Sequence, residues 1–192
     1  SYGVFSSLLL IYGTDHNVVL HYGMRLDVGL SLNMGLNDRS STFLKTEGEG
    51  TLYYTFPKFR TTFSTRVGGA VNSDNFDFLR ANTLGGSSLL GDHGKLRGFL
   101  RDRFAGQSSL YHNLEFRTRV SDFQTYLFPA SFGILAFLDQ GRVWIEDQDS
   151  GTWHRGYGGG IWITPFRRAV LTATVSSSKE NTLFSINAGF AF

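Results

Sequence analysis

Apolar and polar residues alternate along much of this chain, which is the period of a β-strand with two different faces. The alternation is most regular from His21 to Leu32. One face of that segment is apolar and the other is small, polar or charged: Tyr22, Met24, Leu26, Val28, Leu30 and Leu32 against His21, Gly23, Arg25, Asp27, Gly29 and Ser31. Because charges recur on one face of a hydrophobic strand, we expect a water-filled interior and not the dry core of a sandwich.

The same criterion predicts about nine strands. They cover residues 1–12, 21–32, 42–56, 59–71, 110–120, 132–144, 153–164, 169–176 and 182–192. Short turns are predicted at 57–58, 121–125 and 165–168, and two of these contain a proline, which would interrupt a strand ladder. Residues 72–108 are rich in Gly, Ser, Asp and Asn and follow no period, so they are predicted to form one long loop.

The last predicted strand, residues 182–192, identifies the class of fold. Its apolar face consists of Phe184, Ile186, Ala188, Phe190 and Phe192, and it carries no charge. A segment of this length spans a bilayer as a tilted strand, and in lipid such a strand must belong to a barrel that satisfies its backbone. We therefore predict an all-β, antiparallel transmembrane β-barrel. Lipid-facing positions would include Phe184, Ile186, Phe190 and Leu114, and lumen-facing positions Asp27, Glu49 and Arg117.

The composition agrees with a barrel and disfavours several other classes. Hydrophobic residues make up 41% of the chain and the mean hydropathy is -0.12, so no apolar run is long enough for a membrane-spanning helix. Glycine is frequent at 23 residues, proline scarce at 3, and aromatic residues reach 15%. The absence of cysteine excludes disulfides and thiolate metal sites. A net charge of +2 is too small to indicate a nucleic-acid partner.

The number of strands predicts how residues 1–192 relate to a whole barrel. The loops alternate in length, and barrels place short turns in the periplasm and long loops outside. Counting back from a periplasmic C-terminus puts Ser1 on the extracellular side, whereas single-chain bacterial barrels have an even number of strands. We expect residues 1–192 to be the C-terminal part of a larger barrel domain. Further strands of that barrel, and a periplasmic domain, are expected on the N-terminal side of residue 1. A small eight-stranded barrel stays possible if residues 1–12 form no strand.

Three motifs in and after the long loop carry a resemblance to a known family. Leu96-Arg97-Gly98-Phe99 lies in the loop, Asn113-Leu114-Glu115-Phe116-Arg117 in the next strand, and Phe137-Leu138-Asp139-Gln140-Gly141 in the strand after that. Together they resemble the barrel of the BamA, TamA and FhaC superfamily, also called the bacterial surface antigen family. The resemblance covers residues 72–192 well and the earlier strands only by pattern. It implies a barrel of about sixteen strands, of which these form the C-terminal part.

In that family the Arg-Gly-Phe tip folds back into the lumen, which implies a structural and gating set of Arg97, Gly98, Phe99, Glu115, Asp139 and Gly141. The alternation independently places Glu115 and Asp139 on the lumen side. The planar fork of an arginine can bond two carboxylates at once, and in a wet lumen we expect the pair to contribute about 1–3 kcal/mol. The resemblance also assigns the terminal aromatic strand, with Phe184, Ile186, Phe190 and Phe192, to recognition by the assembly machinery.

No motif in the chain predicts an enzyme. The five histidines lack the spacing of metal ligands, the paired serines lack a nucleophile elbow, and Gly156–Gly160 lacks the lysine of a phosphate loop. Glycines there would relieve crowding or allow a strand to bend. We predict no catalytic residue, no metal ligand and no cofactor.

The resemblance implies a bacterial outer-membrane protein that inserts membrane proteins or translocates polypeptides. The first and last strands would pair weakly, and a client strand would add to the opened edge, with Gly189, Ala191 and Gly156–Gly160 keeping that side pliable. Expected partners are outer-membrane lipid, client β-barrels or secreted polypeptides, and a periplasmic domain or accessory lipoproteins outside this chain. The alternative is a passive pore or an anchor for a separate upstream domain, which could be an enzyme.

Overall fold

The chain folds almost entirely into antiparallel β-structure. The computed structural model describes residues 3–12, 22–33, 42–73, 76, 78–86, 94–124, 129–145, 151–166 and 169–191, and of 3–12 only the backbone. The strands are β1 Gly3–Tyr12, β2 Tyr22–Asn33, β3 Phe43–Phe56, β4 Thr61–Asn72, β5 Asn82–Leu84, β6 Phe104–Gly106, β7 Ser108–Gln124, β8 Pro129–Trp144, β9 His154–Pro165, β10 Leu171–Ser177 and β11 Thr182–Ala188. Short 3-10 turns lie at Pro57–Phe59 and Phe78–Arg80. No helix among these residues is long and apolar enough to cross a membrane.

Nine of these strands form one sheet in the order β1-β2-β3-β4-β7-β8-β9-β10-β11, and β5 pairs only with β6. Each strand of the large sheet is therefore antiparallel to the next one along the chain, and the long loop with β5 and β6 interrupts the sequence once. The prediction of nine strands is confirmed. Gly3–Tyr12 pairs with β2 along its whole length. The eight-stranded alternative, which required no strand there, is wrong.

The two faces of the sheet differ as the alternation predicts. On β8, Ile134 and Leu138 are exposed on the outer face, whereas Phe137 and Asp139 are buried on the inner face under the long loop. The register continues the outer apolar row across the neighbouring strands, through Phe116, Ala136, Gly159, Val175 and Phe184. An exposed apolar band of this kind is what a transmembrane barrel presents to lipid.

The predicted turn at 121–125 is wrong, because β7 continues to Gln124 and pairs with the start of β8. The register shifts between Arg119 and Ser121, where a β-bulge adds one residue. After the bulge the odd-numbered residues take the outward positions that even-numbered residues held before it. A phase change of this kind ends an alternation in the sequence without ending the strand.

The last strand also ends earlier than predicted. β11 stops at Ala188, and Gly189 has φ 101, a backbone conformation that only glycine adopts without strain. The chain then turns inward, so that Phe190 packs edge-on against Trp162 with 5.7 Å between ring centroids. The prediction that Phe190 faces lipid is therefore wrong, whereas Phe184 and Ile186 are exposed on the outer face. Phe192 lies outside the described residues.

The long loop covers part of the inner face. Its hairpin of β5 and β6 brings Leu84 against Tyr111 of β7 and Val143 of β8, with Phe104 packed on the same cluster. Three-residue strands are too short for an alternation to reveal, so the sequence predicted only an irregular segment here.

The two faces of β2 offer a direct test of the topology. Leu26→Arg places a charge on the exposed apolar face, where barrels are destabilised by about 2–4 kcal/mol at the midplane of the bilayer. Asp27→Arg places the same charge on the inner face opposite Glu49. We expect the first variant to lose folded, heat-modifiable protein in the membrane fraction and the second to retain it. Equal levels of the two variants would contradict the assigned faces.

Candidate functional site

The tip of the long loop contacts the inner face where β7 and β8 pair. Asn113 lies opposite Asp139 and Glu115 opposite Phe137, so the two carboxylates lie diagonally across adjacent strands. Diagonal neighbours in an antiparallel pair are far enough apart to accept a third group between them. Arg97 of the loop occupies that space.

Arg97 binds both carboxylates through different edges of its guanidinium. Its Nε donates to Asp139 Oδ2 at 2.7 Å and its Nη2 to Asp139 Oδ1 at 2.8 Å, which is a two-point fork. Its Nη1 donates to Glu115 Oε2, and its backbone N–H donates to Asp139 Oδ2 at 3.0 Å. We call Arg97, Glu115 and Asp139 the loop clamp. The contact expected from the sequence is present, and its role in gating stays a proposal.

The loop clamp belongs to a larger group of balanced charges. Arg117 Nε donates to Glu115 Oε1 at 2.5 Å, so two guanidiniums and two carboxylates form one neutral cluster. Each guanidinium also lies over an aromatic ring, Arg97 at 3.6 Å from the centroid of Phe137 and Arg117 at 4.0 Å from that of Phe190. The rings cover the flat faces of the guanidiniums. The N–H groups point outward within the plane and stay available for the carboxylates.

The clamp is drier than the sequence led us to expect. Arg97, Glu115 and Asp139 are exposed to only 3%, 1% and 0%. Burial alone would lower the pKa of the Arg97 guanidinium, but Asp139 and Glu115 offset this and raise it, so the loop stays charged there. Removing one partner from such a buried group leaves an uncompensated charge and costs about 3–5 kcal/mol, more than the 1–3 expected for a wet lumen.

Two glycines allow the loop to approach the sheet so closely. Gly98 has φ 90, and its carbonyl accepts a 2.7 Å hydrogen bond from Ser178 Oγ, in the connection between β10 and β11. On β9, a Cβ added at Gly156 would lie 1.8 Å from the carbonyl oxygen of Arg97. The packing of the loop tip therefore requires a glycine at position 156. This role is separate from the pliability predicted for the glycines of β9.

The remaining predicted residues, Phe99 and Gly141, lie next to the clamp. Phe99 is buried and packs edge-on against Phe104 at 5.1 Å, and Phe104 in turn stacks on His154 of β9 at 3.6 Å. A Cβ at Gly141 would lie 3.0 Å from Leu84 Cδ1, so this glycine leaves room for the β5–β6 hairpin. Both residues hold the loop by shape and not by charge.

A second anchor of the loop was missed in the sequence. Arg66 of β4 donates through Nε to Asn113 Oδ1 at 2.9 Å and through Nη2 to the carbonyl of Gly94 at 3.0 Å. Asn113 in turn donates to the carbonyl of Lys95 at 3.1 Å. The inner-face positions of Arg66 and Asn113 were visible in the alternation, but their partners are backbone atoms of the loop, which carry no signature in the sequence.

The site holds the loop against the sheet, since the charged groups of Arg97, Glu115 and Asp139 are all bound to other groups of the protein. Among the described residues, no cluster of three or more His, Cys, Asp or Glu side chains could hold a metal ion.

Comparison with known families agrees with the motifs. A model of the Omp85 superfamily domain matches residues 9–192, which is nearly the whole chain. This confirms the resemblance drawn from the loop tip and the two strands that follow it. No curated protein matches the sequence.

Arg97→Lys tests whether the fork is needed. A lysine keeps the charge but cannot bond both oxygens of Asp139 and reach Glu115 as well, so the loop should open more often. We expect trypsin to cut the loop of the folded protein at least about tenfold faster, the equivalent of 1.4 kcal/mol in opening free energy. Arg101→Lys is the matched control, because Arg101 is an exposed loop residue whose ion-pair partner is the adjacent Asp102. Equal cleavage of Arg97→Lys and wild type would show that the fork does not hold the loop.

Gly156→Ala tests the fit of the loop tip without touching the clamp. The new Cβ would overlap the carbonyl of Arg97, so the tip must shift away from β9. Hydrogen exchange of the backbone amides of residues 95–100 should accelerate, although all three clamp side chains are retained. Gly48→Ala is the control, since the nearest atom to its added Cβ is 3.8 Å away. Unchanged exchange in the Gly156 variant would contradict this packing role.

Proposed function

From the membership of this chain in the Omp85 superfamily, we propose that its barrel inserts client proteins into the outer membrane by opening beside its last strand. The superfamily implies outer-membrane protein insertion or polypeptide translocation in general, without enzymatic chemistry. The insertion route, the partners and the residues involved are the finer parts of the proposal.

The observation that carries the proposal is the shortness of β11. It has 7 residues, whereas β7 has 17 and β8 has 16. Within the described residues β11 pairs only with β10, so its other edge offers few main-chain groups to a neighbour. A seam with few hydrogen bonds costs less to open, and an exposed strand edge can accept a client strand by β-augmentation.

The inward turn after β11 supports this reading. Gly189 N–H donates to the carbonyl of Val170 at 2.8 Å, and Thr172 Oγ1 donates to the carbonyl of Gly189 at 3.1 Å. Arg66 Nη1 reaches the carbonyl of Ala191 at 3.4 Å. These bonds hold the segment inside, where it cannot extend the edge of β11, so the edge that a client meets stays short.

The loop clamp is connected to the same segment. Glu115 binds both Arg97 of the loop and Arg117, and Arg117 lies over the ring of Phe190. Movement of the terminal segment would therefore disturb a carboxylate that the loop needs. We propose that this chain of contacts couples the loop to the opening of the seam, which is the gating role assigned to the clamp.

We further propose a bacterial outer-membrane location, with client β-barrels or secreted polypeptides, membrane lipid, and a periplasmic domain or accessory lipoproteins outside this chain as partners. The terminal aromatic positions, including Phe192, would direct assembly of the barrel itself. A passive pore is not favoured, because Leu84, Leu96 and Phe99 of the loop are fully or almost fully buried against the inner face.

An insertion assay tests the proposal. The full protein in vesicles should convert an unfolded client barrel into a protease-resistant, membrane-inserted form faster than vesicles alone. Arg97→Ala should lower that rate, and Arg101→Ala, in the exposed part of the loop, should not. No acceleration by the wild-type protein, together with steady ion conductance, would contradict insertion and favour the passive pore.

A further inference from the structure

The outer face of β8 changes character near the end of the strand that carries the long loops. Its outward residues are first apolar, Phe132, Ile134, Ala136 and Leu138, and then Gln140, Arg142 and Trp144. The register places His112 of β7 and Arg155 of β9 on either side of Gln140. The outward residues at this register are therefore polar on three adjacent strands, while the next outward residue of β7, Leu110, is apolar and lies opposite Arg142.

Hydrogen bonds join the polar residues at the level where we place the end of the hydrocarbon region. His112 Nε2 lies 2.9 Å from Thr65 Oγ1, and its Nδ1 lies 3.3 Å from Gln140 Nε2. Polar side chains on a lipid-facing surface must be paired with each other or reach the interface, and here they do the first. Tyr157, exposed and directly across from Leu138, adds the aromatic residue that barrels place at this boundary.

Arg142 and Arg155 lie just beyond this boundary. Because Arg155 is opposite Gln140, it is the diagonal neighbour of Arg142 on the same outer face. Nothing in the described part of the chain places a carboxylate within 4 Å of either guanidinium. The strand arginines Arg66, Arg117 and Arg119, in contrast, each have one.

The surroundings of Arg142 point to an acceptor that the protein itself does not supply. Its guanidinium lies over the ring of Trp144 at 4.8 Å, and its Nε is buried and has no hydrogen-bond partner among the described residues. Leaving a buried donor unpaired is unfavourable, and more so for a charged group. Two adjacent guanidiniums above an apolar band match a phosphate group, which accepts the arginine fork at two points.

We propose that Arg142 and Arg155 bind the phosphate of an anionic lipid headgroup in the leaflet at the loop end of the barrel. The acyl chains of that lipid would lie along Leu138 and Ile134 below the site. This position favours a lipid over a soluble phosphate compound, because only a lipid occupies both levels. The proposal requires that the barrel lies in a membrane, but it does not require client insertion.

Lipid binding by the full protein in detergent tests the site. Native mass spectrometry would compare phosphatidylglycerol with phosphatidylcholine of the same acyl chains. We expect wild type to retain the anionic lipid preferentially, and Arg142→Gln/Arg155→Gln to bind it about thirtyfold more weakly, since two arginines near a membrane surface contribute about 1 kcal/mol each. Arg101→Gln, an equal change of charge in the exposed loop, should leave the preference unchanged.

The connecting sequence between β8 and β9 provides a second variant. Its sequence carries Glu146, Asp147 and Asp149, whose charges would repel an anionic headgroup. Replacing all three by their amides should leave lipid binding equal or tighter. Loss of binding instead would show that carboxylates, bridged by a divalent cation, hold the headgroup, and would overturn the role of the arginines.

Two results on the wild-type protein would also overturn the proposal, whether or not the variants fold. One is an absence of preference between the two lipids. The other is binding of inorganic phosphate as tight as that of the anionic lipid, which would make the lipid unnecessary. Client insertion that persists in the double arginine variant, together with lost lipid preference, would separate this site from the proposed function.

Discussion

The structure depends on a charge that lies where water cannot reach it. A buried guanidinium is tolerable only when carboxylates compensate it, and the two carboxylates of the loop clamp are themselves tolerable only because guanidiniums bind them. Arg97 of the loop and Glu115 and Asp139 of the sheet therefore require one another. When the loop leaves the inner face, Glu115 keeps its bond to Arg117, whereas Asp139 loses the guanidinium that compensates it.

The loop clamp lies on the two longest strands of the sheet. β7 and β8 are the longest strands and pair with each other along almost their whole length, whereas β10 and β11 have 7 residues each. The anchor of the loop therefore lies on the part of the sheet with the most main-chain hydrogen bonds. The part with the fewest lies beside it, connected through Arg117 and Phe190. The proposed opening of the seam would use this arrangement, with a short edge strand beside a long pair of strands that holds the loop.

The alternation in the sequence was sufficient to predict the nine strands of the sheet and the outward or inward facing of most side chains. It failed where the backbone changes phase: at the bulge beside Val120, and at Gly189, after which Phe190 turns into the lumen. At the bulge the alternation breaks although the strand continues, and after Gly189 it continues although the strand has ended, so a period of two misplaces both events. It also could not reveal Arg66 or Gly156, whose partners are backbone atoms of the loop. The clamp could be predicted because each of its three side chains lies in a recognisable sequence motif. The backbone contacts around it leave no such pattern in the sequence.

The arginines on the two faces of this sheet differ in the partners that surround them. On the inner face the guanidiniums of Arg66 and Arg117 are satisfied by carboxylates, an amide or backbone carbonyls. On the outer face, the described residues place no carboxylate within 4 Å of Arg142 or Arg155. A cation there must either reach bulk water or meet an anion that belongs to the membrane. Arg142 is held over Trp144 with its Nε already buried, so it is not free to turn its whole fork toward water. The same desolvation that makes the inner arginines bind the loop therefore makes the outer pair a place where the membrane must supply the partner.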